Sequence, residues 1–229
     1  MVNPKRLPLP LLSEPIHRFR LVQSGGRLVS PFVAPKLGPI PKRTFRKPGH
    51  KDNHVSLYDL DPGADCPNIV RMIVEIPKNS GNKYEYDGKL GVFRLDRALY
   101  SAVHYPGDYG FIPGTLAEDG DPLDVLTLVD EPSYPGVLVA VRPVGLLEMV
   151  DQQQPDQKVL AVPNRNPRFD QIQKIEDVFP HNLREIEHFF TIYKELEEKK
   201  TEMRGWRGPG EAQALIRTAR KRYCEKRPA

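Results

Sequence analysis

The sequence predicts an α+β protein that is mainly β: a small five-stranded antiparallel barrel, flanked by C-terminal helices and preceded by an irregular basic arm. Short apolar strands follow one another between about residues 69 and 163, with only turns between them. Helical spacing of apolar residues begins only after residue 180. Proline and basic residues dominate the first 50 residues. We therefore divide the 229-residue chain into an arm, 1–50, and a globular domain, 51–229.

The arm differs from the rest of the chain in charge. It carries ten Lys and Arg and one acid, Glu14, which gives +9, whereas the remainder has 24 basic and 29 acidic residues, which gives −5. The mildly acidic body disfavours nucleic acid as a partner. No apolar run approaches the roughly 20 residues that span a bilayer, so we expect no membrane partner. The arm leaves two compartments open: the cytoplasm, or a plastid or mitochondrion if residues 1–50 are a transit peptide.

The strands are indicated by alternating and β-branched residues. "NIVRMIVEIP" predicts the first strand, and "NKYEYDGKLGVFRLDR" predicts a hairpin around Asp87 and Gly88, a dipeptide that tolerates positive φ. The segments "DVLTLV", "GVLVAVRPVGLLEMV" and "KVLAVP" predict further strands, separated by Pro, Gly and Asp turns. Strands this close together, without helices between them, favour an OB-like barrel.

Two helices follow the strands. In "HNLREIEHFFTIYKELEEKK" the apolar residues recur at helical spacing: Leu183, Ile186, Phe189, Phe190, Tyr193 and Leu196. The second helix begins near Pro209, and one stripe of it carries Ala212, Leu215, Ile216, Ala219 and Tyr223.

A dense acidic cluster lies directly before an apolar strand. "EDGDPLD" contains Asp119, Asp121 and Asp124, and a later loop between two predicted strands contains Asp151 and Asp156. A Ca²⁺-binding EF-hand loop is excluded, because the required oxygen ligand, Gly and Glu are missing from its fifth, sixth and twelfth positions. A solvated turn remains an alternative, since Asp, Gly and Pro are ordinary turn residues. If both loops meet at one end of the barrel, oxygen ligands without nearby His or Cys favour Mg²⁺ or Mn²⁺.

Carboxylate-bound metals usually serve phosphorylated substrates, which also need basic and phenolic groups. The chain offers Lys83, Arg97, Tyr105, Tyr109, Lys158, Tyr193 and Lys194. Each one alone is more often a surface lysine, a core tyrosine or a salt-bridged arginine. These candidates gain weight only if the fold brings them together.

Several segments, in order and at fitting spacing, resemble the soluble family I inorganic pyrophosphatases. "DGDPLDV" matches the family signature D-x-D-[PE]-apolar-D-apolar, and "VEIPKNSGNKYEYD" is similar to its E-I-P…K-Y-E segment. "DRALYSAVHYPGDYGFIPGTLAEDGDPLDVL", "RPVGLLEMVDQQQPDQKVLAVP" and "HFFTIYKELE" resemble three further family blocks. The resemblance runs from about Ile69 to about Trp206, with the length typical of bacterial and plant members.

The resemblance implies hydrolysis of inorganic pyrophosphate to two orthophosphates, with 51–229 as the catalytic domain and several Mg²⁺ ions, or Mn²⁺, in each site. It implies the metal ligands Glu75, Asp119, Asp121, Asp124, Asp151 and Asp156, of which Asp124 and Asp156 would be shared between ions. It implies the phosphate-binding residues Lys83, Arg97, Tyr109, Lys158, Tyr193 and Lys194. Asp121 would act as the base, assisted in catalysis by Tyr109, Arg97 and Lys158, while Glu85 and Tyr105 match further active-site positions. The family also implies a homo-oligomer, a hexamer if the chain is bacterial-like.

Two other functions stay open at this point. A non-catalytic barrel could bind oligonucleotides through basic grooves and aromatic side chains, although the acidic body disfavours it. An enzyme of the same mechanism could act on another phosphoric anhydride, such as a nucleotide.

Overall fold

The computed structural model describes residues 55–226. Its elements are, in chain order, β1 (Val70–Ile76), β2 (Asn82–Asp87), β3 (Val92–Ala98), β4 (Asp108–Ile112), β5 (Leu123–Thr127), β6 (Leu138–Asp151), β7 (Gln154–Pro163), α1 (Pro180–Ile192), β8 (Thr201–Arg207) and α2 (Pro209–Lys226). The predicted arm, 1–50, lies outside the described residues. No helix within 55–226 combines the length and the apolar character needed to cross a bilayer.

Five strands pair into a closed ring in the order β1, β4, β5, β7 and β6, and β6 pairs back with β1. β8 adds to the other edge of β6, which makes the sheet six-stranded. The predicted small OB-like barrel with C-terminal helices is confirmed. The prediction that all strands of the barrel pair antiparallel is wrong, because β5 and β7 run parallel, with Val125 opposite Val159. The long strand β6 lies between them in sequence and returns the chain to the same end of the barrel.

Two strands were not predicted. β4 is buried along its whole length and lies close to β1. A Cβ on Gly110 would stand 2.0 Å from the carbonyl oxygen of Ile73, so glycine permits this approach. β8 has an alternating pattern with no fully buried residue, and its pairing with β6 is irregular between Glu148 and Met149.

The helices cover the barrel with the predicted apolar stripes. Ile186, Phe189 and Phe190 of α1 are buried in the larger apolar cluster, and a second cluster includes Ala212, Ile216 and Ala219 of α2. The prediction for Leu196 is wrong, since its side chain is 62% exposed. The helix ends at Ile192, and Leu196 lies in a separate 3-10 turn.

The predicted hairpin is confirmed as β2 and β3, which form their own two-stranded sheet. The turn differs in one detail. Positive φ belongs to Gly91, at 69°, and not to Gly88. The Gly91 N–H donates to the Asp87 carbonyl oxygen at 2.7 Å, which closes a loop longer than the predicted dipeptide.

Candidate active site

Thirteen of the fourteen predicted site residues line one cavity of about 520 Å³. Strands of the barrel contribute Glu75, Tyr109, Asp124, Asp156 and Lys158, and β6 ends at Asp151. The hairpin contributes Lys83 and Glu85, the loops on either side of β4 contribute Tyr105, Asp119 and Asp121, and the residues after α1 contribute Tyr193 and Lys194. Segments more than 100 residues apart in the chain therefore meet at one opening.

Strand geometry explains why the acids and lysines of the barrel face each other. Asp156 and Lys158 are two residues apart on β7, and alternate residues of a strand share a face. The parallel register aligns Val125 with Val159, which places the preceding residues, Asp124 and Lys158, side by side. The sequence pattern D-x-K thus puts one cation directly beside two carboxylates.

Lysines compensate the carboxylates in this arrangement. The Lys158 ammonium bonds to Asp124 and to Asp156, the latter at 2.5 Å, while its side chain is only 7% exposed. Lys194 pairs with Asp151, and Lys83 pairs with Glu85 at 2.5 Å. Buried charges without such partners would each cost several kcal/mol.

Burial, followed by neighbouring negative charge, raises the pKa values of acids in the cavity. Burial raises the pKa of Glu75 to about 8. The N–H of Tyr86, which donates to Glu75 at 2.8 Å, acts in the opposite direction and lowers this pKa, whereas the charge of Asp124 raises it. Burial followed by the charges of Asp119 and Asp124 raises the pKa of Asp121. Strongly shifted carboxyl groups in one cleft are a signature of functional sites.

The pKa of Lys158 shifts in the opposite direction to that of an ordinary buried lysine. Burial alone would lower its pKa, but the carboxylates of Asp124 and Asp156 outweigh this and raise it, so the group stays charged. Its ammonium lies 5.7 Å from the ring centroid of Tyr109.

Three tyrosines form a buried wall of the cavity. Burial is the first cause that raises the pKa values of Tyr105, Tyr109 and Tyr193 above the ordinary range, so their hydroxyls remain protonated near neutral pH. Tyr105 and Tyr193 both pack on Phe189, with ring centroids 4.7 and 5.3 Å away. The wall is therefore closely packed, and its protonated hydroxyls can donate hydrogen bonds.

Arg97 is the predicted site residue that does not line the cavity. It lies on β3 opposite Lys83. Its Nε donates to Glu197 Oε1 at 2.8 Å, and its Nη1 donates to Asp96 Oδ2 at 2.5 Å. Two carboxylates thus hold the guanidinium beside the cavity, and its contact with substrate stays a prediction.

The donor set fits a hard divalent cation, because the candidate ligands are all carboxylate oxygens. Asp151 Oδ1 is buried and has no hydrogen-bond partner among the described residues. Within 55–226, however, no three His, Cys, Asp or Glu side chains are grouped closely enough to hold one ion in this arrangement. The lysines described above occupy the positions between the acids, so the ligand set stays a prediction.

The prediction missed part of the aromatic lining, namely Tyr58, Tyr86 and Phe111. Tyr58 precedes the first predicted strand, in a segment without a recognisable site motif. Tyr86 and Phe111 belong to strands, where aromatic residues normally indicate core. His104 and His188, which are not predicted ligands, line a different cavity.

Comparisons with known proteins show the family and the fold of the chain. The family described as inorganic pyrophosphatase matches residues 72–224. The inorganic pyrophosphatase of Nostoc sp. is 48% identical over 162 residues, which are 71% of this chain and 96% of that protein. The crystal structure of the Thermus thermophilus inorganic pyrophosphatase superposes with a TM-score of 0.72 at 49% identity, covering 73% of this chain and 98% of that one.

A more distant structure shares the fold. The chain covers only 70% of the Schistosoma japonicum inorganic pyrophosphatase, at 23% identity and a TM-score of 0.64, a likeness of fold alone. The barrel, its polar cavity and the closer matches together define a hydrolase. Within that class, the chain belongs to the inorganic pyrophosphatase family, the family of the inorganic diphosphatases, as the sequence motifs predicted.

Proposed function

We propose that the chain hydrolyses inorganic pyrophosphate to two orthophosphates with the help of several Mg²⁺ ions, for which Mn²⁺ could substitute. The observation that carries this proposal is the meeting of seven carboxylates, three lysines and four buried tyrosines at one cavity of about 520 Å³. Pyrophosphate is a small, highly charged anion. Its hydrolysis asks a protein mainly for positioning and for stabilisation of charge.

The residues that would hold Mg²⁺ are Glu75, Asp119, Asp121, Asp124, Asp151 and Asp156. Bound divalent cations neutralise phosphate oxygens and lower the pKa of a water molecule toward neutrality. The unpartnered Asp151 Oδ1 and the raised pKa of Glu75 support a cavity that stabilises cations.

Asp121 is the proposed general base. Water attacks one phosphorus atom while the bond from that phosphorus to the bridging oxygen breaks, and Asp121 accepts the proton of the water. Its raised pKa favours proton acceptance closer to neutral pH than an ordinary aspartate allows. The side chain is exposed at the opening and has no ion pair with a lysine among residues 55–226, so it is available to the water.

The residues proposed to hold the leaving phosphate and offset its growing charge are Lys158, Lys194, Tyr193 and Arg97. In the structure both lysines pair with carboxylates that are also proposed metal ligands. Cation binding to those carboxylates would free the ammonium groups for phosphate oxygens. Tyr109 and Lys83 would bind the other phosphoryl group, with Glu85 and Tyr105 supporting them.

Arg97 is proposed to bind phosphate from the edge of the cavity. Its guanidinium stands across the hairpin from Lys83. A planar fork suits paired phosphate oxygens. The contribution requires that it exchange Asp96 or Glu197 for substrate.

One assay tests the proposal against both alternatives. Phosphate release is measured with Mg²⁺ and either pyrophosphate or a nucleoside triphosphate, with a chelator as the control. Release from pyrophosphate alone supports the proposal. Equal or faster release from the nucleotide would reassign the substrate, and no release from either would leave a non-catalytic barrel.

The remaining calls concern the whole chain. We propose that 51–229 is the catalytic domain, that the protein is a homo-oligomer, with a hexamer expected for a bacterial-like member, and that it acts in the cytoplasm. Sedimentation of the purified protein tests the assembly. The N-terminal sequence of the native protein tests the compartment, because an imported enzyme would lack the arm.

A further inference from the structure

A small aromatic cluster joins the hairpin to the barrel at the edge of the cavity. Tyr86 of β2 forms a cluster with Ile73 and Phe111 of the barrel, and three residues that precede β1 pack against this cluster: Leu57, Tyr58 and Leu60. The Tyr58 ring lies 5.0 Å from that of Tyr86 and 4.9 Å from that of Phe111, measured between centroids. All three rings line the proposed active site.

Hydrogen bonds fix Tyr58 at both ends. Its hydroxyl donates to the carbonyl oxygen of Tyr86 at 2.5 Å. Its own carbonyl oxygen accepts from the N–H of Gly114 at 2.8 Å, next to the barrel strand β4. The residue therefore connects the barrel to one peptide group of the hairpin.

The same residue of the hairpin holds a predicted metal ligand. The N–H of Tyr86 donates to Glu75 Oε1 at 2.8 Å, and in a strand the N–H and C=O of one residue point to the same side. Tyr58 thus fixes the carbonyl of the residue whose N–H orients Glu75. The neighbour on the same strand, Glu85, also lines the cavity.

We propose that Tyr58 is a positioning residue of the active site, which acts through Tyr86 to hold Glu75 and the hairpin in the geometry that binds the divalent cation. The inference rests on the proposed function. Tyr58 lies before the segment that the family match covers, residues 72–224. The hydroxyl is the informative group, because the ring alone would supply the packing.

The test is Mg²⁺ titration of the full chain by calorimetry without substrate. Tyr58→Phe keeps the ring and removes the hydroxyl, and we expect it to weaken Mg²⁺ affinity about three- to tenfold, the range of one neutral hydrogen bond. Tyr100→Phe, at a tyrosine that is 64% exposed, is the matched control and should leave the affinity unchanged. In a Glu75→Gln background, Tyr58→Phe should cause no further loss, because both changes act on the same ligand.

Either of two results would overturn the inference: an unchanged Mg²⁺ affinity of Tyr58→Phe, even with a lower melting temperature in chelator, or a full additional loss in the Glu75→Gln background. These results differ from a failure of the proposed function. In that case the unaltered chain would itself neither bind Mg²⁺ nor release phosphate from pyrophosphate, and both proposals would fall.

Discussion

Two cavities of similar volume share the wall made by Tyr105: the proposed active site, about 520 Å³, and a second cavity of about 550 Å³. The first is lined by seven carboxylates and three lysines, the second by two carboxylates and one lysine. Their sizes do not distinguish them, whereas their charge does.

The lysine of the second cavity and the neighbouring Asp108 have fixed backbone partners. The Lys78 ammonium donates to the carbonyl oxygen of Val129 at 2.8 Å. Nearby, the buried Asp108 accepts from the N–H groups of Lys78 and Ser133 at 2.9 and 3.1 Å. Buried polar groups that are satisfied by the backbone stabilise the fold and need no ligand. In the first cavity the carboxylates exceed the lysines by four, against one in the second, and this larger excess favours a cation.

The largest expected effect tests whether the first cavity is catalytic. Asp121→Asn is nearly isosteric and should reduce turnover by about 100-fold or more, because an amide cannot accept the proton of the attacking water. Phosphate release at saturating Mg²⁺ measures it. Glu118→Gln is the control, since Glu118 lies in the same loop with a side chain that is 70% exposed. Near-normal turnover in folded Asp121→Asn would remove the residue from this role.

A smaller effect, on stability, is expected when one lysine of each cavity is replaced in turn. Lys158→Met should lower the free energy of unfolding in chelator by about 2 kcal/mol, because it leaves Asp124 and Asp156 without their shared cation. The value is below that of a fully buried pair, since Asp124 is 31% exposed. Urea denaturation measures this loss, and part of it should be recovered when the experiment is repeated with Mg²⁺.

The control variant is Lys78→Met in the second cavity. It loses one hydrogen bond to a carbonyl and should lower the free energy of unfolding by about 1 kcal/mol, equally with and without Mg²⁺. The same Mg²⁺ dependence in both variants would erase the distinction between the cavities.

The smallest effect is the stabilisation of the unaltered chain by the ion. Mg²⁺ at ten times its dissociation constant should contribute about 1.4 kcal/mol, which raises the Tm by roughly 3–6 °C relative to chelator. Replacing both histidines of the second cavity, His104→Gln with His188→Gln, should leave this rise unchanged. Equal Tm values with ion and chelator would contradict a cation-binding cavity, and a loss of the rise in the histidine variant would place the ion elsewhere.

Sequence patterns predicted the strands that have a clear period and missed those that do not. β1 and the hairpin carry the β-branched and aromatic residues that predict strands, although Met72, Ile73 and Val74 of β1 are all buried. In contrast, β4 is only five residues long, is buried throughout and is flanked by Gly107 and Pro113. β8 carries charged residues and a glycine, and its irregular pairing becomes evident only beside β6. A parallel pair such as β5 with β7 depends on how distant segments return, which local pattern does not encode.

The candidate site was predictable to the extent that its residues lie in motifs. The spacing of Asp119, Asp121 and Asp124 and the D-x-K pair on β7 identified the charged lining in advance. The motifs could not predict that Arg97 would be held by Glu197, a residue 100 positions away. Nor could they identify Tyr58, whose role depends on a hydrogen bond to a peptide carbonyl, a group that every residue possesses.

The parallel register of β5 and β7 also bears on how the chain reaches its native pairing. A slip of one residue along β7 would turn both Lys158 and Asp156 away from Asp124 and leave that carboxylate without its ammonium partner. The charges proposed to serve the reaction would therefore destabilise a barrel in which β5 and β7 pair out of register. The same three side chains, Asp124, Asp156 and Lys158, would therefore serve both the correct pairing of the strands and the proposed reaction.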